Sequence, residues 1–129
     1  MVRVQQNMFE LKKSFTFEAS HRLAHHNGKC AQLHGHSYTL KIRVRKDSLI
    51  SEGSSKNMVV DFGDISVLVK PLIEKFLDHH DLNETLGTDS PSAEFIARWV
   101  YQRLKPCIPG VYSVTIQETA SASATYWEQ

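Results

Sequence analysis

Apolar residues recur at every second position in two stretches of the chain. In "KSFTFEASH", Phe15, Phe17 and Ala19 alternate with Ser14, Thr16 and Glu18, the period of a half-buried strand. Continued to its end, that strand places His21 on the apolar side. "HSYTLKIRVRK" alternates more clearly still: Tyr38, Leu40, Ile42 and Val44 take one face, and Thr39, Lys41, Arg43 and Arg45 the other. His34 and His36 share the parity of the apolar face, so an extended chain aims both imidazoles the same way.

The period then changes. After the polar turn "SLISEGSSK" and a short predicted strand in "NMVVDF", apolar positions fall at Ile65, Leu68, Val69, Leu72, Ile73 and Phe76. That is one helical stripe, opened by the acidic Asp61 and Asp64 and interrupted by Pro71, which predicts a kink or a lost hydrogen bond. "LDHHDLNETLGTDS" reads as a loop. Ser90 and Pro91 read as the N-cap and first residue of a second helix that buries Ile96, Trp99, Val100 and Leu104. "VYSVTIQE" returns to strand period, with Tyr112, Val114, Ile116 and Glu118 on one face, and "ATYWE" is a last short strand. Strands, then two helices, then strands predict an α+β fold over a largely antiparallel sheet.

A length of 129 residues predicts a single domain, residues 1–129, with one real core. Fifteen basic against fourteen acidic side chains provide no global field for nucleic acid or anionic lipid. Alternating Arg43 and Arg45 read as a solvated strand face. No apolar run is long enough to span a bilayer, and "MVRVQQNMFELKKSF" lacks the apolar region of a secretory signal. The expected location is therefore the cytoplasm, with Cys30 and Cys107 as reduced thiols.

Seven histidines are unevenly placed, five of them between His21 and His36. His21, His34 and His36 can converge on one point, and three imidazoles with an open fourth position are a catalytic zinc geometry. Gly35 between two of them allows the backbone to pass close to an ion. His25 and His26, in the turn "HHNGK", read as solvated. Cys30 leaves two readings open: a fourth ligand that closes the site, or a thiol beside the metal acting as base or nucleophile. The second calls for an orienting acid–base pair, and Asp78 beside His79 offers one. Glu118 is a carboxylate on an apolar face. It is either a bidentate acceptor for a ligand with adjacent N–H groups or a strand end already in solvent.

Taken in order, "FTFEASHRL", "KCAQLHGHSY", "MVVDFGDI", "LDHHDLN", "SPSAEFIARW" and "QET" resemble the 6-pyruvoyltetrahydropterin synthase / 6-carboxytetrahydropterin synthase family from about Phe9 onward. The resemblance implies a tunnelling fold (T-fold) of order ββααββ: a four-stranded antiparallel sheet with two helices on one face, oligomerising into a barrel. It also implies a homo-hexamer of two trimers with active sites between subunits. By the same resemblance, His21, His34 and His36 are zinc ligands and Cys30 is the catalytic cysteine. Asp78 and His79 are its partners, Glu118 anchors the pterin, and Ser92 lies near the pterin.

Within the family, Cys30 argues against a folate-route branch that uses a glutamate nearby. "LDHHDLN" and "ETASASA" look more like the bacterial 6-carboxy branch that feeds queuosine and other deazapurines. The implied activity is a zinc-dependent lyase that converts 7,8-dihydroneopterin triphosphate to 6-carboxy-5,6,7,8-tetrahydropterin, releasing acetaldehyde and triphosphate. The alternatives are a 6-pyruvoyl synthase that retains the side-chain carbons and a non-catalytic zinc-stabilised binding module.

Overall fold

The computed structural model describes residues 7–129; residues 1–6, on which part of the leader reading rests, lie outside them. Two long strands, β1 (Phe9–His21) and β2 (His34–Lys46), pair antiparallel along their whole length. Helix α1 (Phe62–Leu72) follows, then strand β3 (His80–Asp81), the single-turn α2 (Leu82–Thr85) and helix α3 (Ala93–Leu104). Strands β4 (Val111–Thr119) and β5 (Ala122–Trp127) complete a sheet of order β3-β1-β2-β4-β5. The expected four antiparallel strands are present. The fifth, β3, pairs parallel with β1 at Ala19 and Ser20 and makes the sheet mixed.

Strand parity works as the alternation predicts. Phe15, Phe17 and Ala19 on β1 and Tyr38, Leu40, Ile42 and Val44 on β2 are buried, and they meet Ile65 and Val69 of α1 and Ile96, Val100 and Leu104 of α3 in one core. The register places Phe17 opposite Tyr38, whose rings stack at 4.9 Å. Such a pair adds about 0.5–1.5 kcal/mol beyond its buried area.

Four local expectations need correction. "NMVVDF" forms no strand: Asn57 takes φ 66°, and this stretch bonds back to its own loop, Asn57 N–H to Ile50 O (2.8 Å) and Ile50 N–H to Met58 O (2.9 Å). "LDHHDLN" is more than a loop, since it holds β3 and the start of α2. The second long helix begins two residues late: Ser92, not Ser90, is the N-cap, its hydroxyl accepting from Phe95 N–H at 3.1 Å. Pro91 thus stays outside the helix, and its carbonyl is free to accept a side-chain bond. Tyr112 leaves the apolar face because the β2–β4 register slips between Arg43 and Val44, and its ring lies under the Arg45 guanidinium at 3.7 Å.

Pro71 acts partly as expected. It has no N–H to give to the preceding turn, yet α1 runs through it to Leu72 and then widens into one π turn, Ile73–Leu77. That turn ends with Asp78 N–H on Ile73 O at 2.8 Å, and it delivers Asp78 and His79 to the edge of β1.

Candidate metal centre and its surroundings

His21 and His34 are directly opposed in the β1–β2 register, and His36 lies two residues further along the same face. The three rings form a triangle with centroid separations of 4.6, 5.1 and 4.9 Å, and one nitrogen from each lies within 4.8 Å of the others. His21 Nδ1–H donates to Pro91 O and His34 Nδ1–H to Gln32 O, both at 2.8 Å. A carbonyl can only accept, so each Nδ1 carries the proton and each Nε2 keeps its lone pair. Nε2 of His21 and of His36 is buried and without a hydrogen-bond partner. Burial, the largest influence, holds the His36 imidazole below its ordinary value of 6.5; Glu118 opposes this, and His21 and His34 add to it. Three converging imidazoles, two of them with a buried, unpartnered nitrogen, fit a divalent, borderline-soft cation such as zinc.

Gly35 does not face this triangle. A side chain there would meet Ala19 O at 3.3 Å, so its smallness serves the close approach of β1 and β2 rather than an ion.

Cys30 is a free, half-buried thiol in the short 3-10 turn Lys29–Ala31. The converging donor group contains the three histidines without Cys30. Its backbone carbonyl accepts from Leu23 N–H at 2.7 Å, which folds the loop after β1 back on itself. His25 is exposed as expected but is not free, because its Nε2 pairs with Asp89 Oδ2 at 2.8 Å. His26 Nδ1 accepts from Gly28 N–H at 2.9 Å.

Asp78 and His79 are in contact, Nδ1 to Oδ2 at 2.9 Å. Asp78 Oδ1 also accepts from Glu18 N–H at 2.9 Å; this bond first, and His79 second, hold its carboxyl below the ordinary 3.8. His79 takes φ 60°, a conformation unusual for a residue with a side chain, and its N–H donates to Glu18 O. An open groove of about 470 Å³ runs from His79 past Glu18 and Ser37 to His36. Within the described chain His79 therefore shares this groove with His36. Cys30 makes no hydrogen bond to the pair there.

Glu118 stands at the end of β4, its Oε1 3.3 Å from His36 Nε2 but off the line of a hydrogen bond. It also lines a cleft of about 370 Å³ with Ala93, Glu94 and Ser123, between the start of α3 and the β4–β5 turn. Ser92 lines a different cleft, with Arg98 and Tyr126. Two contributors escape the sequence reading. Tyr38, legible there only as core, is fully buried edge-on to His36 at 5.3 Å; its hydroxyl is unpartnered and kept protonated by burial first and Glu118 second. Asn83 clamps the backbone of Arg22 with both ends of its carboxamide. An Asn one residue into a capped turn gives no sign in sequence of a partner sixty-one residues away.

Fold and site define an α+β protein with a three-histidine cluster at the end of its two longest strands. A family model described as 6-pyruvoyl tetrahydropterin synthase matches residues 10–129, and the chain belongs to that family. It is 42% identical over 121 residues to a 6-carboxy-5,6,7,8-tetrahydropterin synthase of Synechocystis sp., covering 93% of this chain and 94% of that one. It is 34% identical to the Haemophilus influenzae protein of the same name, covering 94% and 100%. The 6-pyruvoyl tetrahydropterin synthase structure from Caenorhabditis elegans superposes with a TM-score of 0.81 at 23% identity, over 98% of this chain and all of that one, and shares its tunnelling fold. No helix among the described residues is long and apolar enough to cross a membrane.

Proposed function

We propose that this protein is a zinc-dependent lyase acting on 7,8-dihydroneopterin triphosphate and water. Its products are 6-carboxy-5,6,7,8-tetrahydropterin, acetaldehyde and triphosphate, and its place is in the cytoplasmic biosynthesis of queuosine and related deazapurines. The working unit is one domain, residues 1–129, in a homo-hexamer of two trimers with active sites between subunits. The observation that carries the reading is a three-histidine donor set from which the one nearby thiol, Cys30, stands apart. A site closed by a fourth protein ligand would have no open position for substrate. The names of the 42% and 34% identical relatives support the 6-carboxy product.

Zinc held on His21, His34 and His36 would supply Lewis acidity toward the substrate's side-chain hydroxyls. Glu118 accepts the adjacent N–H groups of the pterin's pyrimidine edge, a bidentate match for a carboxylate. Cys30, as thiolate, takes the proton from the side-chain carbon. His79 is the second acid–base group, its Nδ1 fixed by Asp78 so that Nε2 faces outward for proton transfer. Ser92 is proposed near the pterin through the N-terminal turn of α3.

Incubation with dihydroneopterin triphosphate tests the reading: equal amounts of acetaldehyde and 6-carboxy product are expected. A pyruvoyl product without acetaldehyde would instead establish the 6-pyruvoyl reading, which shares the name of the matching family and uses the same residues. Absence of any turnover by zinc-loaded protein would leave the binding-module reading.

A further inference from the structure

We propose that Asn83 is a positioning residue that fixes the chain leaving His21 and, through it, the loop that presents Cys30. The inference rests on the roles proposed above for His21 and Cys30. Along β1, alternate residues turn their N–H and C=O groups away from β2 to the opposite edge. Strand β3 covers only a short piece of that edge near the end of β1, at Ala19 and Ser20. On one side of it, Glu18 is bracketed by Asp78 Oδ1 on its N–H and His79 N–H on its carbonyl.

On the other side the backbone has already turned into α2 and has no partner to offer. The side chain of Asn83 takes its place. Arg22 N–H donates to Asn83 Oδ1 at 2.8 Å, and Asn83 Nδ2 donates to Arg22 O at 2.8 Å. A carboxamide carries an acceptor and a donor on one plane, as a peptide group does, so it extends the ladder by one step. Aspartate keeps the acceptor but sets an oxygen against the Arg22 carbonyl. Alanine leaves both groups to water.

Arg22 lies between His21 and the Cys30 loop, so the consequences run in both directions. The His21 ring is buried and held by Pro91 O at 2.8 Å, but β1 ends at His21, and the clamp on the next residue fixes its backbone. Beyond it, Leu23 N–H meets Cys30 O at 2.7 Å and Ala24 N–H meets Asp89 O at 3.0 Å. The direction of that loop is set where Asn83 grips it. One short segment, Asp78 to Asn83, therefore carries the acid–base pair at one end and the orienting clamp at the other.

The test uses the full chain with Cys107→Ser, so that iodoacetamide reads Cys30 alone, and adds Asn83→Ala, Asn83→Asp and Asn83→Gln. Zinc affinity is measured by competition with a chromophoric chelator; no substrate is present, so failure of the proposed activity does not affect the result. Asn83→Ala and Asn83→Asp are expected to weaken zinc binding by about 10-fold or more, as loss of an outer-shell partner does. Cys30 alkylation should change by at least about fivefold as its loop opens locally, and Asn83→Gln should recover part of both. A variant that melts earlier but binds zinc and alkylates within about twofold of the parent, at a temperature where both are folded, overturns the proposal and leaves Asn83 purely structural. Should the Ala and Asp variants not fold, amide exchange on the parent decides. An Arg22 amide slowed at least about 100-fold relative to an unstructured peptide supports the clamp, and an unprotected one overturns it.

Discussion

The histidine triangle and the segment from Asp78 to Asn83 meet the same end of β1, but they are built in opposite ways. Each histidine is placed by strand register: His34 faces His21 across one ladder, and His36 follows two residues on. Three side chains are thereby aimed by the hydrogen bonds that make the sheet. The Asp78–Asn83 segment arrives from the far side of a helix, through a π turn, and is held by side chains gripping the backbone of Glu18 and Arg22. A ladder fixes positions through its register, and no described residue of β1 or β2 takes a left-handed backbone. The clamped segment carries a left-handed His79 and an exposed Asp–His pair. Under the proposed function, metal retention would belong to the ladder and proton movement to the clamped segment.

The largest effects should follow from breaking the triangle. His36→Ala removes one of three donors, and zinc affinity should fall by more than the ~100-fold typical of outer-shell losses. Turnover should vanish with it, in a chelator-competition titration run beside an activity assay. Retained stoichiometric zinc in that variant would show that the triangle is not the metal site.

Cys30→Ala separates the two regions. It should lower kcat by ~10²–10⁴-fold, the usual weight of a general acid–base group, while zinc affinity stays within about twofold of the parent. Loss of zinc together with activity would place Cys30 in the coordination sphere and join the two regions into one closed site.

Glu118→Gln comes next. It keeps the shape but removes the charge, and loss of a charge-assisted pair costs about 1.5–3 kcal/mol, or roughly 10–150-fold in kcat/KM. The same change removes the carboxylate 3.3 Å from His36 Nε2, a negative charge beside the proposed cation, so zinc affinity should fall slightly. Unchanged kcat/KM would return Glu118 to the solvent-exposed strand end that its position also allows.

The difference between the regions also explains what the sequence could tell. Period-two alternation over β1 and β2 was enough to place His21, His34 and His36 on one face, because parity in a strand is local and fixed by the pleat. Nothing local announces that Asp78 and Asn83 bind backbone groups about sixty residues away. The π turn that delivers them follows directly on the helix that contains Pro71. Gly35 was misread for the same reason: its parity was plain, but the carbonyl it accommodates belongs to β1. Adjacency in sequence offered Asp78 and His79 as an acid–base pair, family resemblance tied that pair to Cys30, and periodicity could do neither. The cap of α3 slipped from Ser90 to Ser92 because the Pro91 carbonyl is taken by His21 rather than by a helix turn. Ser92→Ala should therefore cost about 1 kcal/mol in stability by denaturant titration, as loss of an N-cap does. A rise in KM beyond that loss would add a substrate contact to its structural one.

The smallest effect concerns pH, and it should resolve the two regions by the windows in which they titrate. Burial keeps the His36 imidazole below its ordinary 6.5, so as pH falls the unfolded chain takes up that proton before the folded one does. Its contribution to the metal-free fold is complete above 6.5 and declines as pH drops below it. Asp78 has the same sign in a different window: Glu18 N–H and His79 hold its carboxyl below 3.8, so its contribution persists until pH falls past that value and is lost beneath it. Thermal melts of chelator-treated protein should show stability dropping first as pH falls below 6.5, with His36→Ala flattening that limb. The second drop should come only in strong acid and be flattened by Asp78→Asn. Zinc should deepen the first limb, since protons compete with the ion for the same lone pairs, and leave the second where it was. A single transition common to both variants would mean that the triangle and the clamped segment unfold as one unit, and the division of labour drawn between them would fail.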